Sequence, residues 1–118
     1  MKFLCLIYED EKIWESMPQE EAGALLGEYQ TFTDDIAKSG HLVIGEALQP
    51  TATAATVRIR GGRTSRSDGA AVDTAEQLGG FYLIEAADMN EAVQIASRIP
   101  SVDHGSVEVR PIMDFSQQ

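Results

Sequence analysis

The spacing of apolar residues changes along this chain in a fixed order, and that order limits the fold more than any other feature. Residues 3–8 form a short apolar run typical of a strand. A stripe of apolar residues at three- and four-residue intervals follows, which is typical of an amphipathic helix laid on a sheet: Ala22, Leu25, Leu26, Tyr29, Phe32 and Ile36. Pro18 near its start and Gly40 after its end predict a helix over residues 18–39.

Further strands are predicted at residues 42–44, 56–60, 63–67, 81–85 and 106–110, with a second helix before the last strand. The pair Asp88 and Glu91 caps the start of that helix, and Pro100 halts it. No linker or repeat interrupts the order, so we expect a single domain over residues 1–118. The order fits an α+β fold, a ferredoxin-like antiparallel sheet with two helices on one face. The other face would carry residues such as Tyr8 and Tyr82, so we expect a homodimer in which two sheets face each other.

The charge and composition of the chain limit its partners and its compartment. Nineteen acidic residues against nine basic ones give a net charge of −10, which repels phosphate backbones, so nucleic acid is not an expected partner. No stretch approaches the roughly 20 apolar residues that a membrane span requires, so no membrane association is expected. The single cysteine, Cys5, excludes an internal disulfide framework and favours a reducing cytoplasm.

One short segment is basic, unlike the rest of the chain. It is a predicted hairpin in which a span of nine residues contains four arginines: Arg58, Arg60, Arg63 and Arg66. Gly61-Gly62 between them permits the positive φ angles of a tight turn. Strand alternation predicts that the first two arginines project from one face while Val57 and Ile59 enter the core. We interpret the arginines as a solvated hairpin face, with an anion-binding or partner-docking patch as the alternative.

Few residues in the chain are candidates for proton transfer. Histidine is the side chain most often used for proton transfer, so His41 is the first candidate, with a capping or surface role as the alternative. Asp68 and Glu76 are its candidate acidic partners if the fold brings them close, and turn capping or solvation is the alternative for each. His104, in the loop before the last strand, is interpreted as a surface residue. Four further residues are candidates for substrate binding: Tyr8, Asp73, Tyr82 and Arg110.

The sequence contains no pattern that predicts a metal or a cofactor. The two histidines are far apart, and no HExxH, CxxC or DxDxDG spacing is present, so no metal site is predicted. A phosphate-cradling glycine loop and a serine elbow are also missing. We therefore expect no cofactor.

Four blocks along the chain carry a family resemblance: FLCLIYEDE, SGHLVIGEALQPTATAATVRIRGG, EQLGGFYLIEA and RIPSVDHGSVEVRPI. Together they cover almost the whole chain, and they resemble the YCII-related, DGPF-domain family. The resemblance implies a dimeric α+β barrel, in agreement with the sheet and two helices predicted above. It implies little about activity, since most members are uncharacterised. A histidine–aspartate pair suggests an enzymatic role in YCII-like relatives, one related branch dehalogenates chlorinated muconolactones, and other relatives are fused to sigma factors.

The tetrapeptide that names the family reads DGAA here, at residues 68–71. A proline would fix this turn and a phenylalanine would fill an apolar slot, so their loss predicts a looser loop and a roomier pocket wall. The glutamate that usually follows in the family is Asp73 in this chain. The resemblance therefore transfers a site most directly to His41, Asp68 and Glu76.

Two functional hypotheses are compatible with these observations. In the first, a cleft between the sheet and its dimer mate binds a small polar-aromatic or lactone-like metabolite. A pair of His41 and an acidic residue would then catalyse cofactor-independent acid–base chemistry of the isomerase, lyase, hydrolase or dehalogenase-like type. In the alternative, the chain is a non-catalytic ligand-binding or regulatory module that interacts with other proteins. The missing nucleophile and cofactor loop favour this second hypothesis, and both remain open at this point.

Overall fold

The computed structural model describes residues 1–116, in which a four-stranded antiparallel sheet is covered on one face by helices. The predicted α+β class and the predicted arrangement of sheet and helices are therefore confirmed. The domain predicted over residues 1–118 includes two residues that lie outside the described range. The spatial order of the main sheet is β2-β5-β1-β6, and β3 and β4 form a separate two-stranded sheet. The elements are β1 (Lys2–Glu9), α1 (Glu11–Ser16), α2 (Gln19–Lys38), β2 (Leu42–Ala47), β3 (Ala55–Arg60), β4 (Arg63–Asp68), β5 (Gln77–Glu85), α3 (Met89–Ala96) and β6 (Ser106–Pro111).

The core lies between the sheet and the two longer helices. Along β1 the side chains of Phe3, Cys5 and Ile7 are buried, and every second residue between them is only half-buried. This alternation places the buried set on the helix-covered face and leaves the other face open. The core is completed by apolar residues of α2, of α3 and of the turn after α3: Phe32, Ile36, Ala92, Ile95, Ala96 and Ile99.

The start of both longer helices and the end of α2 agree with the capping signals, whereas α3 ends at Ala96, before the predicted stop at Pro100. The long helix occupies residues 19–38 of the predicted 18–39. At the start of α3, the Asp88 carboxylate accepts a hydrogen bond from the Glu91 backbone N–H at 2.9 Å. The sequence pattern does not predict α1, a short helix whose N-cap is Asp10, which accepts from the Lys12 backbone N–H at 3.0 Å. None of the helices within residues 1–116 combines the length and apolar character needed to cross a bilayer.

Tyr82 is buried on the helix-covered face of the sheet, so the prediction that it lies on the open face is wrong. Both faces of β5 are apolar, and the sequence therefore does not show which set points inward. A Cβ atom at Gly45, the cross-strand neighbour, would lie 2.5 Å from the tyrosine ring, so a glycine is needed there. The ring packs edge-on against Phe32 at 5.1 Å between centroids, and its hydroxyl is 2.8 Å from Thr33 Oγ1.

The hairpin of β3 and β4 stands apart from the core. Gly61 and Gly62 adopt φ angles of 56° and 75°, which confirms the predicted turn. Val57 and Ile59 remain 63% and 64% exposed, so the prediction that they enter the core is wrong. Strand alternation correctly separates them from Arg58 and Arg60, but no other element of the described chain covers this side of the hairpin.

Candidate functional site

A cavity of about 430 Å³ lies between the sheet and α2. Its walls include the inward side chains of Ile7 and Tyr82 on the sheet and those of Leu26 and Tyr29 on α2. Trp14 of α1 closes one side. The volume lies in the range of small-molecule sites, which is about 300–1,000 Å³. The cavity is on the helix-covered face, whereas the sequence hypothesis placed the cleft between the sheet and a second subunit.

Four glutamates line this cavity: Glu9, Glu11, Glu15 and Glu46. No lysine, arginine or histidine of residues 1–116 lines it. The Glu11 carboxylate is already engaged, because it accepts hydrogen bonds from the Thr51 backbone N–H at 2.6 Å and from the Thr51 hydroxyl at 2.9 Å. This contact holds the segment after β2 against α1 and shapes the rim of the cavity.

Glu9 is the buried carboxylate of the cavity wall, with only 7% of the residue exposed. It continues the inward alternation of Phe3, Cys5 and Ile7, so the strand itself directs its side chain toward the helices. Its Oε2 atom lies 3.1 Å from Nε2 of His104, where an N–H group of the imidazole donates to the carboxylate. A buried carboxylate is unfavourable without such a partner. The histidine thereby stabilises a charge at the cavity wall.

His104 reaches Glu9 because the next residue is a glycine. A Cβ atom at Gly105 would overlap the backbone carbonyl oxygen of Tyr8 and would lie 3.1 Å from Glu9 Cβ. The loop can therefore lie directly on the end of β1 only without a side chain at this position. The His104 side chain is 31% exposed, so the pair connects the cavity wall to solvent.

Tyr29 adds a hydroxyl group to the same wall. Burial is the main cause that raises the pKa of Tyr29 to about 12, and the negative charge of Glu9 adds to it, while the nearby Ser101 acts in the opposite direction. The phenol is therefore protonated at neutral pH and can donate a hydrogen bond. Ser101 Oγ, a polar neighbour of Tyr29, is buried and has no hydrogen-bond partner within the described residues.

The structure does not bring His41 together with its predicted acidic partners. The imidazole Nε2 lies 3.4 Å from Glu91 Oε1, and the backbone carbonyl of His41 accepts from the Glu85 N–H at the end of β5. Glu76 lies before the start of β5, where it accepts a hydrogen bond from the Ser106 hydroxyl at 2.8 Å. Because β5 has nine residues, its two ends are roughly 25–30 Å apart. His41 and Glu76 therefore occupy opposite ends of the sheet.

The other predicted residues also lie in different places. Asp68 ends β4 with 89% of its side chain exposed, and Asp73 is exposed in the loop that follows. Tyr8 lies half-buried on the open face of the sheet, and the side chain of Arg110 on β6 is 69% exposed. Within the described residues, Tyr82 is the member of the predicted set that lines the cavity.

Sequence reasoning missed Glu9 and His104 as a pair, although two signals were present. Strand alternation from Phe3 through Ile7 continues to Glu9, which predicts an inward carboxylate. The glycine after His104 indicates a close backbone approach. Their proximity in space, however, depends on the pairing of β1 with β6, which the spacing along the chain does not give.

Comparisons with known proteins place the chain in a family. The model of the YCII-related domain matches residues 1–116. An uncharacterized protein of Rhizobium meliloti (strain 1021) is 34% identical over 114 residues, which is 95% of this chain and 92% of that protein.

A solved structure is similar in fold over nearly the whole chain. It is that of 5-chloro-2-hydroxyhydroquinone dehydrochlorinase (TftG) from Burkholderia phenoliruptrix AC1100, in complex with 2,5-dihydroxybenzoquinone. The TM-score is 0.57 at 12% sequence identity, and the match covers 98% of this chain and 97% of that one. At this identity the similarity shows a shared fold. The domain match and the bacterial relative show that the chain belongs to the YCII-related domain family.

Proposed function

We propose that this protein binds a small organic molecule in the cavity between the sheet and α2, and that Glu9 and His104 transfer a proton to or from it. The observation that carries the proposal is the position of Glu9. Its carboxylate is buried in the cavity wall and is hydrogen-bonded to an imidazole that reaches solvent. Such a pair combines a base at the ligand with a route for its proton.

The lining of the cavity indicates which molecules it accepts. Trp14, Tyr29 and Tyr82 provide aromatic surface for a flat ring. The carboxylates disfavour anions and favour hydroxyl or amine donors on the ligand. We therefore propose a polar-aromatic or lactone-like compound without a net negative charge. The bound ligand of TftG, which has a similar fold, is itself a small oxygenated ring compound.

The residues of the wall have distinct roles in this proposal. Glu9 removes a proton from the bound molecule, and the Tyr29 hydroxyl donates a hydrogen bond to the oxygen on which negative charge develops. His104 is a positioning residue that stabilises the ionised carboxylate and exchanges the proton with solvent. Return of the proton to another atom would be an isomerisation, and loss of a leaving group would be an elimination. Neither reaction needs a cofactor.

A Glu9→Gln variant tests this function after ligands have been identified by thermal-shift screening of small oxygenated ring compounds. The amide keeps the size of the side chain but not its basicity. We expect binding to change less than about tenfold and turnover to fall about 100-fold or more. His41→Asn serves as the matched control and should leave both quantities unchanged. Equal turnover by the Glu9→Gln variant and the wild type would refute the catalytic role. Binding without turnover in the wild type would favour the alternative of a non-catalytic ligand-binding module.

We also propose that two copies pair through the open face of the sheet. This face carries a continuous apolar surface formed by half-buried residues of β1 and β5: Leu4, Leu6, Tyr8, Phe81 and Leu83. Ile44 of β2, which pairs with Leu83, extends it and is 45% exposed. An identical sheet packed against this surface would remove it from water.

The free and buried Cys5 is compatible with the reducing cytoplasm that we propose as the compartment.

A further inference from the structure

We propose that the arginine-rich hairpin of β3 and β4 is a docking arm that binds the acidic surface of α2 on a second copy of this chain. Neither the cavity nor the open face of the sheet includes this hairpin. The proposal rests on its exposure, on the arrangement of its charges, and on the charges of the rest of the molecule.

The hairpin projects from the body of the protein without a covering layer. It forms a sheet of its own, and Val57 and Ile59 on one side are 63% and 64% exposed. A hairpin of two strands is marginally stable in water unless it packs against something. The radius of gyration is 16.4 Å, against about 13.5 Å for a compact domain of this length. Both observations indicate an arm that requires a partner.

The strand pairing gathers three arginines on the other side of the arm. Arg58 lies opposite Ser65, and Arg60 lies directly opposite Arg63. Like charges in directly opposed positions destabilise a hairpin. None of these three arginines takes part in an ion pair among the described residues, whereas Arg66 approaches Asp68 at 3.9 Å. The arm therefore presents a positive face that lacks carboxylate partners among residues 1–116 of its own chain.

The body of the protein has the complementary charge. Residues 55–68 hold four of the nine basic residues and one of the nineteen acidic ones, so the arm carries +3 and the rest of the chain −13. One acidic segment is 13–37, which has no lysine or arginine. It exposes six carboxylates, most of them on α2: Glu15, Glu20, Glu21, Glu28, Asp34 and Asp35. None of the six is part of an ion pair among the described residues.

A second copy of the chain is the partner that these charges fit. A nucleic acid would meet the field of the −13 body, which repels it. Between two copies, by contrast, each arm can lie on the α2 of the other, so that the same contact forms twice around a two-fold axis. Opposite charges on the two surfaces also orient the approach of the subunits.

The test compares self-association of two variants with the same change in total charge, in chains that also carry Leu6→Glu so that the open face of the sheet cannot pair. We expect Arg58→Glu with Arg60→Glu to weaken association at least about tenfold at low salt, since two attractions become repulsions. Lys12→Glu with Lys38→Glu is the matched control and should not weaken it. Sedimentation equilibrium at about 0.02 M and about 0.5 M salt measures the effect, and high salt should weaken association of the Leu6→Glu chain whose arm is otherwise unchanged. Equal weakening by both variants would show an effect of total charge and overturn the proposal.

A mixing experiment locates the contact. In the same Leu6→Glu background, the Arg58→Glu, Arg60→Glu chain and a Glu20→Arg, Glu28→Arg chain should each associate weakly, and their mixture should recover a heterodimer. A Ser65→Cys chain mixed with a Glu28→Cys chain should form a disulfide between the two chains, because Cys5 is buried and does not compete. The proposal would be contradicted if mixing restored no heterodimer and no cross-link formed. It would also be contradicted if the chain bound a single-stranded oligonucleotide and the arm variant lost that binding. Neither result would bear on the cavity, which the arm residues do not line.

Discussion

Two histidines of this chain each contact a glutamate, and the burial of the glutamate separates their roles. Glu9 has a side chain that is only 9% exposed, whereas the Glu91 side chain beside His41 is 40% exposed. Water stabilises the exposed carboxylate whether or not the imidazole is present. The buried carboxylate depends on His104. The contact between His104 and Glu9 therefore contributes to the stability of the fold at the cavity. The contact between His41 and Glu91 at the other end of the sheet contributes little.

This difference predicts unequal effects of removing each imidazole. His104→Ala should lower the free energy of unfolding by about 1–3 kcal/mol, because it leaves the buried Glu9 without its donor. His41→Ala should lower it by less than about 1 kcal/mol. Urea denaturation at neutral pH measures both values, and the double variant Glu9→Gln, His104→Ala should recover part of the loss. Equal effects of the two single variants would contradict the role assigned to His104.

At alkaline pH the free energy of unfolding depends on two buried acidic groups, the thiol of Cys5 and the phenol of Tyr29. Burial raises the pKa of the Cys5 thiol from 9.0 to about 11, and burial, with the charge of Glu9, raises that of Tyr29 from 10.0 to about 12. The folded protein therefore keeps both protons to a higher pH than the unfolded chain does. Their contribution is fully present below about pH 9 and is lost as the pH rises to about 12. We expect the urea midpoint to fall over that range, and to fall less for a Cys5→Ala, Tyr29→Phe variant. An equal fall of the urea midpoint in the wild type and in the variant would contradict the assignment of this pH dependence to Cys5 and Tyr29.

The identity of the site residues could be predicted only in part. Tyr82 was placed in a pocket, but on the wrong face, because Phe81 and Leu83 give the other face of β5 the same apolar character. His41 is a better candidate than His104 by sequence, since it follows a helix. The choice between them depends on which strand ends meet, and that information lies in the strand pairing and not in the spacing along the chain.

At the scale of elements, apolar periodicity and capping residues predict the positions of most helices and strands. The two longer helices and the four strands of the main sheet lie where the apolar spacing predicts them, because each buries one stripe or one face against the others. The hairpin of β3 and β4 was located by its Gly61-Gly62 turn. The spacing failed for α1, whose six residues are too few for a stripe. It also failed for Val57 and Ile59, since alternation shows which residues share a face but not whether anything covers that face.

The α2 helix contains two positions at which its sequence is not optimal for stability. A Cβ atom at Gly23 or Gly27 would meet nothing within 4 Å, so no packing requires a glycine there. Gly27→Ala should therefore raise the free energy of unfolding by about 0.5–1 kcal/mol. Gly45→Ala is the opposite case, because its Cβ would lie 2.5 Å from the Tyr82 ring, and it should destabilise by about 1–3 kcal/mol. Urea denaturation of both variants checks these signs, and destabilisation by Gly27→Ala would show a contact that the single chain lacks.

At the scale of the whole molecule, the open face of the sheet predicts a dimer. Leu6 lies in the middle of this face, opposite Phe81 on β5. Leu6→Glu should place a charge in the interface and reduce the mass measured in solution from twice 12.8 kDa to 12.8 kDa. Val93→Glu, at a position 49% exposed on α3, is the control and should leave the dimer intact. The mass is measured by sedimentation at about 0.5 M salt, because salt at this concentration suppresses the contacts of the arm. A wild-type monomer under these conditions would contradict the pairing of two sheets.

The most direct test of the central proposal is to locate bound ligands by NMR. Small oxygenated ring compounds are added to the isotopically labelled protein, and the changes in backbone amide shifts are mapped onto the structure. We predict that binders shift the amides around the cavity, including those of Glu9, Thr33, Gly80 and Tyr82, and that Glu9→Gln alters this response more than His41→Asn does. Shifts confined to the open face or to the hairpin arm, with the cavity unaffected, would contradict a ligand site built around Glu9.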